Sequence, residues 1–141
     1  MGYGIDAVNA VAQSIAKITV TAIFHKDPWC LIAHPNRAIK TLGDLKVKPI
    51  YVSASANITY WPLLAAKYGF TGDQKRPYNF NLAPFLTDKN SAQQGYITSE
   101  PFAIQKQGGF EAVVFLLADY GYQLYATTIE TKKELVEKIQ I

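Results

Sequence analysis

The chain has 141 residues, 49% hydrophobic and 18% charged, with a formal net charge of +3 and a pI near 8.9. That is one domain's length with enough apolar side chain for a core, which excludes a disordered or fibrous polypeptide. The basic residues Lys46, Lys48, Lys67, Lys75, Arg76, Lys132 and Lys133 form no dense run, which argues against nucleic acid as a partner.

The single Cys30 excludes an internal disulfide or a cysteine metal cluster, and in Trp29-Cys30-Leu31-Ile32-Ala33 it reads as a buried thiol. No apolar stretch reaches the length of a membrane span. Met1-Gly2-Tyr3-Gly4 lacks the basic and apolar regions of a signal peptide, so as written the chain is expected to be cytoplasmic.

Asp6 caps a predicted helix over 6–15, with Val8, Val11, Ala12 and Ile15 at helical spacing. Residues 18–24 alternate and are β-branched, predicting a strand, and 29–34 predict a second after the break at His25-Lys26-Asp27-Pro28. Thr41 and Asp44 stand three apart, as a short capped helix requires.

The stretch 49–62 reads as strand, polar loop and helix: Ile50-Tyr51-Val52, then Ser53 to Thr59, then Trp61, Leu64, Ala65 and Tyr68. Such a junction can receive an anionic or acceptor-rich ligand on free helix N–H groups, with Ser53, Ser55, Asn57 and Thr59 adding side-chain partners. Equally, Ser55, Asn57 or Thr59 caps the helix and does nothing more.

Gly69 is placed to end that helix, and 71–81 read as loop. Ala83-Pro84 opens a predicted helix to about Gln94, 95–99 a strand, and Phe102 to Gln107 a helix stopped by Gly108-Gly109. The apolar run 112–118 predicts a strand buried on both faces, followed by a strand over about 125–129. Thr131 and Glu134 form a predicted capping box for a helix through Ile139. Alternating strands and helices predict an α/β fold with a largely parallel sheet and flanking helices.

Chemistry-bearing patterns are few. His25 and His34 lie nine apart with no Glu or Cys at metal-ligand spacing, and Asp27, Asp44, Asp73 and Asp88 are scattered among loops and caps. Without a glycine-rich phosphate loop or a nucleophile elbow, no catalytic residue, metal or cofactor is expected.

The run Ile39-Lys40-Thr41-Leu42-Gly43-Asp44-Leu45-Lys46-Val47-Lys48 resembles the opening of the second lobe in type II periplasmic solute-binding proteins of ABC importers. The resemblance continues through Trp61-Pro62, Ala66-Lys67-Tyr68-Gly69-Phe70, Arg76-Pro77-Tyr78, Gln93-Gln94-Gly95-Tyr96, Ser99-Glu100-Pro101-Phe102 and Ala118-Asp119-Tyr120-Gly121-Tyr122. Within that family these segments are similar to the thiamine-pyrimidine precursor, nitrate and sulfonate branch. Val47 stands where the family usually has glycine, and the family's long terminal portions are absent. Fungal relatives that make the thiamine pyrimidine carry a cysteine-rich motif that this chain lacks.

The resemblance implies two lobes closing on a solute, with 36–118 as the second lobe and 1–35 with 119–141 as part of the first. It implies a small-molecule solute and an ABC permease as partners, and a periplasmic or lipid-anchored place outside the inner membrane. The uncovered faces of a partial lobe imply self-association as a homodimer or other homo-oligomer. Together with the rule that α/β sheets bind ligands at strand carboxyl ends, it implies a site of Tyr3, Ser55, Asn57, Thr59, Trp61, Ser99, Glu100 and Tyr122. Two of these have plainer roles: Trp61 as a core residue and Glu100 as a helix cap. The alternative reading of the whole chain is a stand-alone interaction domain that self-associates without binding solute.

Overall fold

The structure, a computed structural model, describes residues 2–139. They form two compact units, one of 28–122 and a smaller one of 1–27 with 123–141. These boundaries fall after 27 and 122, whereas the lobes expected from the resemblance divide at 35 and 118. β2 (Trp29–Ala33) makes the difference, because it pairs with two strands of the larger unit.

The larger unit is a five-stranded sheet built from β2, β3 (Ile50–Val52), β4 (Lys75–Pro77), β5 (Ala92–Tyr96) and β6 (Val113–Leu116), in the order β4-β3-β5-β2-β6. β3 runs parallel to both β4 and β5, while β2 runs antiparallel between β5 and β6. Four strands therefore share one direction and β2 opposes them, so the α/β fold is as expected with a mixed sheet. All of β2 is buried, as a central strand covered on both faces must be.

Helix α2 (Trp61–Tyr68) ends at Gly69, whose φ of 67° is the left-handed value that glycine supplies at such a stop. Helices α3 (Ala83–Thr87) and α4 (Glu100–Gly108) close the other face over a core of Cys30, Ile32, Leu82, Phe85 and Ile104. The short helical turn Leu42–Leu45 forms as predicted, with the Asp44 carboxylate accepting from the Thr41 amide at 2.7 Å.

Two expectations fail here for local reasons. The helix opened by Ala83 ends at Thr87 rather than near Gln94, because Asp88 turns the chain: its carboxylate accepts from the Asn90 amide at 3.0 Å and its carbonyl from Ser91. The stretch 71–81 contains β4, an edge strand whose Lys75-Arg76-Pro77 sequence carries no apolar alternation.

In the smaller unit, β1 (Lys17–Phe24) pairs antiparallel with β7 (Ala126–Lys132), flanked by α1 (Gly4–Ala12) and α5 (Lys133–Lys138). Thr131 lies within β7, so Lys132 and not Thr131 precedes α5. An ion pair from Lys17 to Glu130 joins the two strands. No residue of α1, β1 or α5 is buried.

Candidate functional site

The parallel strands β3, β4 and β5 end at one edge of the larger unit's sheet, so the residues that follow each strand are delivered to neighbouring positions. After β3 come Ser53 and a helical turn, Ala54–Ile58; after β4, Tyr78 to Phe80; after β5, the approach to Ser99 and Glu100. Two cavities lie along this edge. One, of about 420 Å³, is lined by Tyr78, Phe80, Asn81, Ser99, Glu100 and Gln107 among others. The second, of about 360 Å³, is lined by Ser53, Asn57, Lys75, Arg76, Tyr78 and Asn79 among others. Tyr78 lines both.

Gln94 fixes the loop after β3. Its Oε1 accepts from the Ser53 amide at 2.6 Å and from the Tyr60 hydroxyl at 2.9 Å. The turn beyond exposes Ser55 and Asn57. Asn57 Nδ2 donates to the Ala54 carbonyl at 3.1 Å and its Oδ1 accepts from Lys75 Nζ, which presents a fixed amide and an ammonium to the second cavity. Ser55 Oγ bonds Ser53 Oγ at 2.8 Å, and Thr59 Oγ1 donates to the Ser55 carbonyl at 2.9 Å, so these two hydroxyls brace the turn.

Glu100 opens α4, where the orphan N–H groups of a helix start favour a carboxylate. Its Oε2 accepts from the Tyr96 amide at 2.8 Å and from the Ser99 hydroxyl, and its Oε1 from the Tyr78 hydroxyl at 3.4 Å. Burial, followed by the charge of Glu100, pushes the Tyr78 hydroxyl up to about 12 and the Cys30 thiol likewise to about 12. Both groups are therefore neutral near pH 7, and Glu100 faces the first cavity as an acceptor beside a hydroxyl donor.

The predicted residues thus divide. Asn57 lines the second cavity, and Ser99 and Glu100 line the first. Ser55 and Thr59 stand on the adjoining turn. Trp61 is buried, its ring meeting Phe70 edge-on at 5.9 Å with Lys75 Nζ 5.5 Å from its centroid. Tyr122 is buried as well and meets the Tyr60 ring at 6.2 Å. Tyr3 belongs to the smaller unit, at the start of α1, where its amide donates to Asp6 Oδ2 at 3.0 Å. Sequence reasoning missed Tyr78 and Lys75 as lining residues because it read their segment as loop. The tyrosine directly after the Arg76-Pro77 edge-strand signal was the available clue.

The family model described as "NMT1/THI5 like" matches residues 2–140. The chain belongs to this family. The resemblance to type II solute-binding proteins is upheld by that match, which supports a solute-binding role and no catalytic one. Among solved structures, this family member is similar to an ancestral arginine-binding protein bound to arginine. The TM-score is 0.46 at 19% identity, over 96% of this chain and 68% of that one. No curated protein matched the chain in sequence. Among the described residues no group of His, Cys, Asp and Glu could hold a metal ion, and no helix is long and apolar enough to cross a membrane.

Proposed function

We propose that this protein captures a small polar or heteroaromatic metabolite, a thiamine-pyrimidine precursor being the leading candidate, for delivery to an ABC permease. Its place of action is periplasmic or lipid-anchored outside the inner membrane, with 36–118 serving as one lobe and 1–35 with 119–141 contributing to the other. The observation that supports this most is the edge where three parallel strands end beside two cavities that share Tyr78. Glu100 offers an acceptor for an exocyclic amine, and Asn57 with Lys75 offers polar partners for the far side of the solute.

Phe80 adds a flat surface. Its ring is 79% exposed at the rim of the first cavity, on a backbone of φ 58° that a bulky side chain seldom adopts. Backbone strain of this kind concentrates at binding sites, and an exposed ring suits stacking on a planar solute.

The test is a thermal-shift and titration panel of pyrimidines, thiamine precursors, sulfonates, nitrate and polyamines on the wild type, Asn57→Ala and Glu100→Ala. Saturation at a hundredfold excess over Kd adds about 2.7 kcal/mol, and roughly 2–4 °C per kcal/mol gives a rise of about 5–10 °C. Glu100→Ala should weaken binding at least about tenfold, the worth of one charge-assisted hydrogen bond. No rise with any class at millimolar ligand would sink the reading.

A second reading has its own support. Val8, Val11, Ile23 and Ile139 are each more than half exposed in a unit where α1, β1 and α5 bury nothing. Apolar surface of this extent suits self-association. Light scattering across a hundredfold range of concentration separates the two: a dimer with no solute response favours assembly, and a monomer that binds solute favours capture.

A further inference from the structure

Gln93 lies in β5 opposite Ile32 of β2 and beside Tyr51 of β3, and so shares the sheet face that packs under α3 and α4. It is fully buried, and neither Nε2 nor Oε1 has a hydrogen-bond partner of good geometry. A buried primary amide left in this state is among the costlier features a core can hold. Its neighbour Gln94, on the opposite face, has its carbonyl satisfied twice over. The defect therefore belongs to the position of Gln93.

The amide of Gln93 lies beside the Tyr78 hydroxyl, close enough to offset part of that group's upward pKa shift. Tyr78 has one O–H to give. It is directed at Glu100 Oε1 over 3.4 Å, a long and weak bond, and Gln93 Oε1 goes without. A solute that brings an N–H into the 420 Å³ cavity supplies Glu100 with a better donor. The Tyr78 hydroxyl is then released to turn toward Gln93. Such a solute gains its own hydrogen bond and also relieves the buried amide, whereas an isostere without the N–H gains neither.

We propose that Tyr78 and Gln93 are the specificity-determining pair of this cavity, making it select solutes with an N–H on a planar edge because occupancy of Glu100 hands the Tyr78 hydroxyl to Gln93. The proton stays on the tyrosine oxygen throughout, and only its acceptor changes. This inference rests on the solute-binding reading above.

The test compares 4-amino-2-methylpyrimidine with 2,4-dimethylpyrimidine, which carries a methyl in place of the amino group. Affinities are measured by calorimetric titration on the wild type, Gln93→Leu, Gln93→Met, Tyr78→Phe and Glu100→Ala. The wild type should favour the amino probe by about tenfold, a ratio of the size one hydrogen bond supplies. In both Gln93 variants and in Tyr78→Phe the ratio should fall to about threefold or less, and in Glu100→Ala to near one. Without probe, Gln93→Leu should melt above the wild type, since an unmet amide has been removed. A wild-type ratio retained in Gln93→Leu and Gln93→Met would overturn the pair and leave the solute site standing. A wild type that binds neither probe, or a ratio unchanged in Glu100→Ala, would overturn the site and the pair together.

Discussion

Replacing Gly95 by alanine tests how closely the start of α4 is fitted to β5. A Cβ at Gly95 would lie 2.8 Å from Glu100 Cβ and 2.8 Å from Ile32 Cδ1, with Glu100 Cγ at 3.1 Å. The Ile32 methyl can turn aside, but Glu100 Cβ is fixed to the helix backbone, so α4 must move. Overpacking of this kind costs about 1–3 kcal/mol. Movement also loosens the bond from the Tyr96 amide to Glu100 Oε2, worth about 1.5–3 kcal/mol when buried and less at this half-exposed carboxylate. Alanine returns roughly 0.4–1 kcal/mol by restricting the unfolded chain. The net loss is about 2 kcal/mol, read in urea as a lower midpoint at unchanged slope, or as a fall of about 4–8 °C in melting temperature. Because Glu100 lines the first cavity, solute affinity should fall with it. A Gly95→Ala protein within about 0.5 kcal/mol of the wild type would refute the reasoning, since that is the range of an ordinary surface change.

Gln74 is buried, donating from Nε2 to the Leu45 and Lys48 carbonyls at 2.8 and 2.9 Å and accepting from the Thr71 amide at 3.0 Å. Gln74→Ala should cost about 2–4 kcal/mol in urea unfolding, and a loss below about 1 kcal/mol would contradict this accounting. Cys30, its thiol pushed up to about 12 by burial, should resist thiol reagents at pH 8 in the folded protein and react fully in guanidinium. Fast labelling of the native chain would contradict its burial. The Glu130 carboxyl is held below its usual range, first by its hydrogen bond with Lys17 and then by that with Thr128. Its folded value lies under the unfolded one, so the pair stabilises above the ordinary carboxylate range and that contribution fades as pH falls through the folded value. Amide exchange in the β1–β7 ladder should accelerate below about pH 4 in the wild type, and Lys17→Met should weaken that dependence.

Strands and helices with their own periodicity were legible in the sequence: β2, β3, α2 and α4 stand close to where their patterns put them. What failed depended on partners. β4 is a strand because β3 lies beside it, and two cations with a proline carry no trace of that pairing. Gln93 and Gln94 favour a helix locally, yet the sheet takes them into β5. The candidate site was half legible for the same reason. Ser99, Glu100 and Asn57 follow strand ends that could be read directly, while Tyr78 enters only through β4. Trp61 and Tyr122 are aromatic residues whose type suits a ligand platform, but their packing on Phe70 and Tyr60 puts them in the core. The alternation of burial along β5, with one glutamine per face, exists only once register is known.

The β1–β7 ladder joins residues roughly 100 positions apart, from Lys17 opposite Lys132 to Phe24 opposite Ala126. During synthesis β1 therefore leaves the ribosome long before its partner has been made. At about 5–20 residues per second the delay is roughly 5–20 s. Throughout it the β-branched run holding Ile18, Val20 and Ile23 has an unpaired edge. The larger unit, whose strands all lie between 28 and 122, has no such wait, since its chain is finished first. The vulnerable interval in this protein's life is thus nascent, and holdase chaperones that bind extended apolar segments would find their substrate in the first two dozen residues.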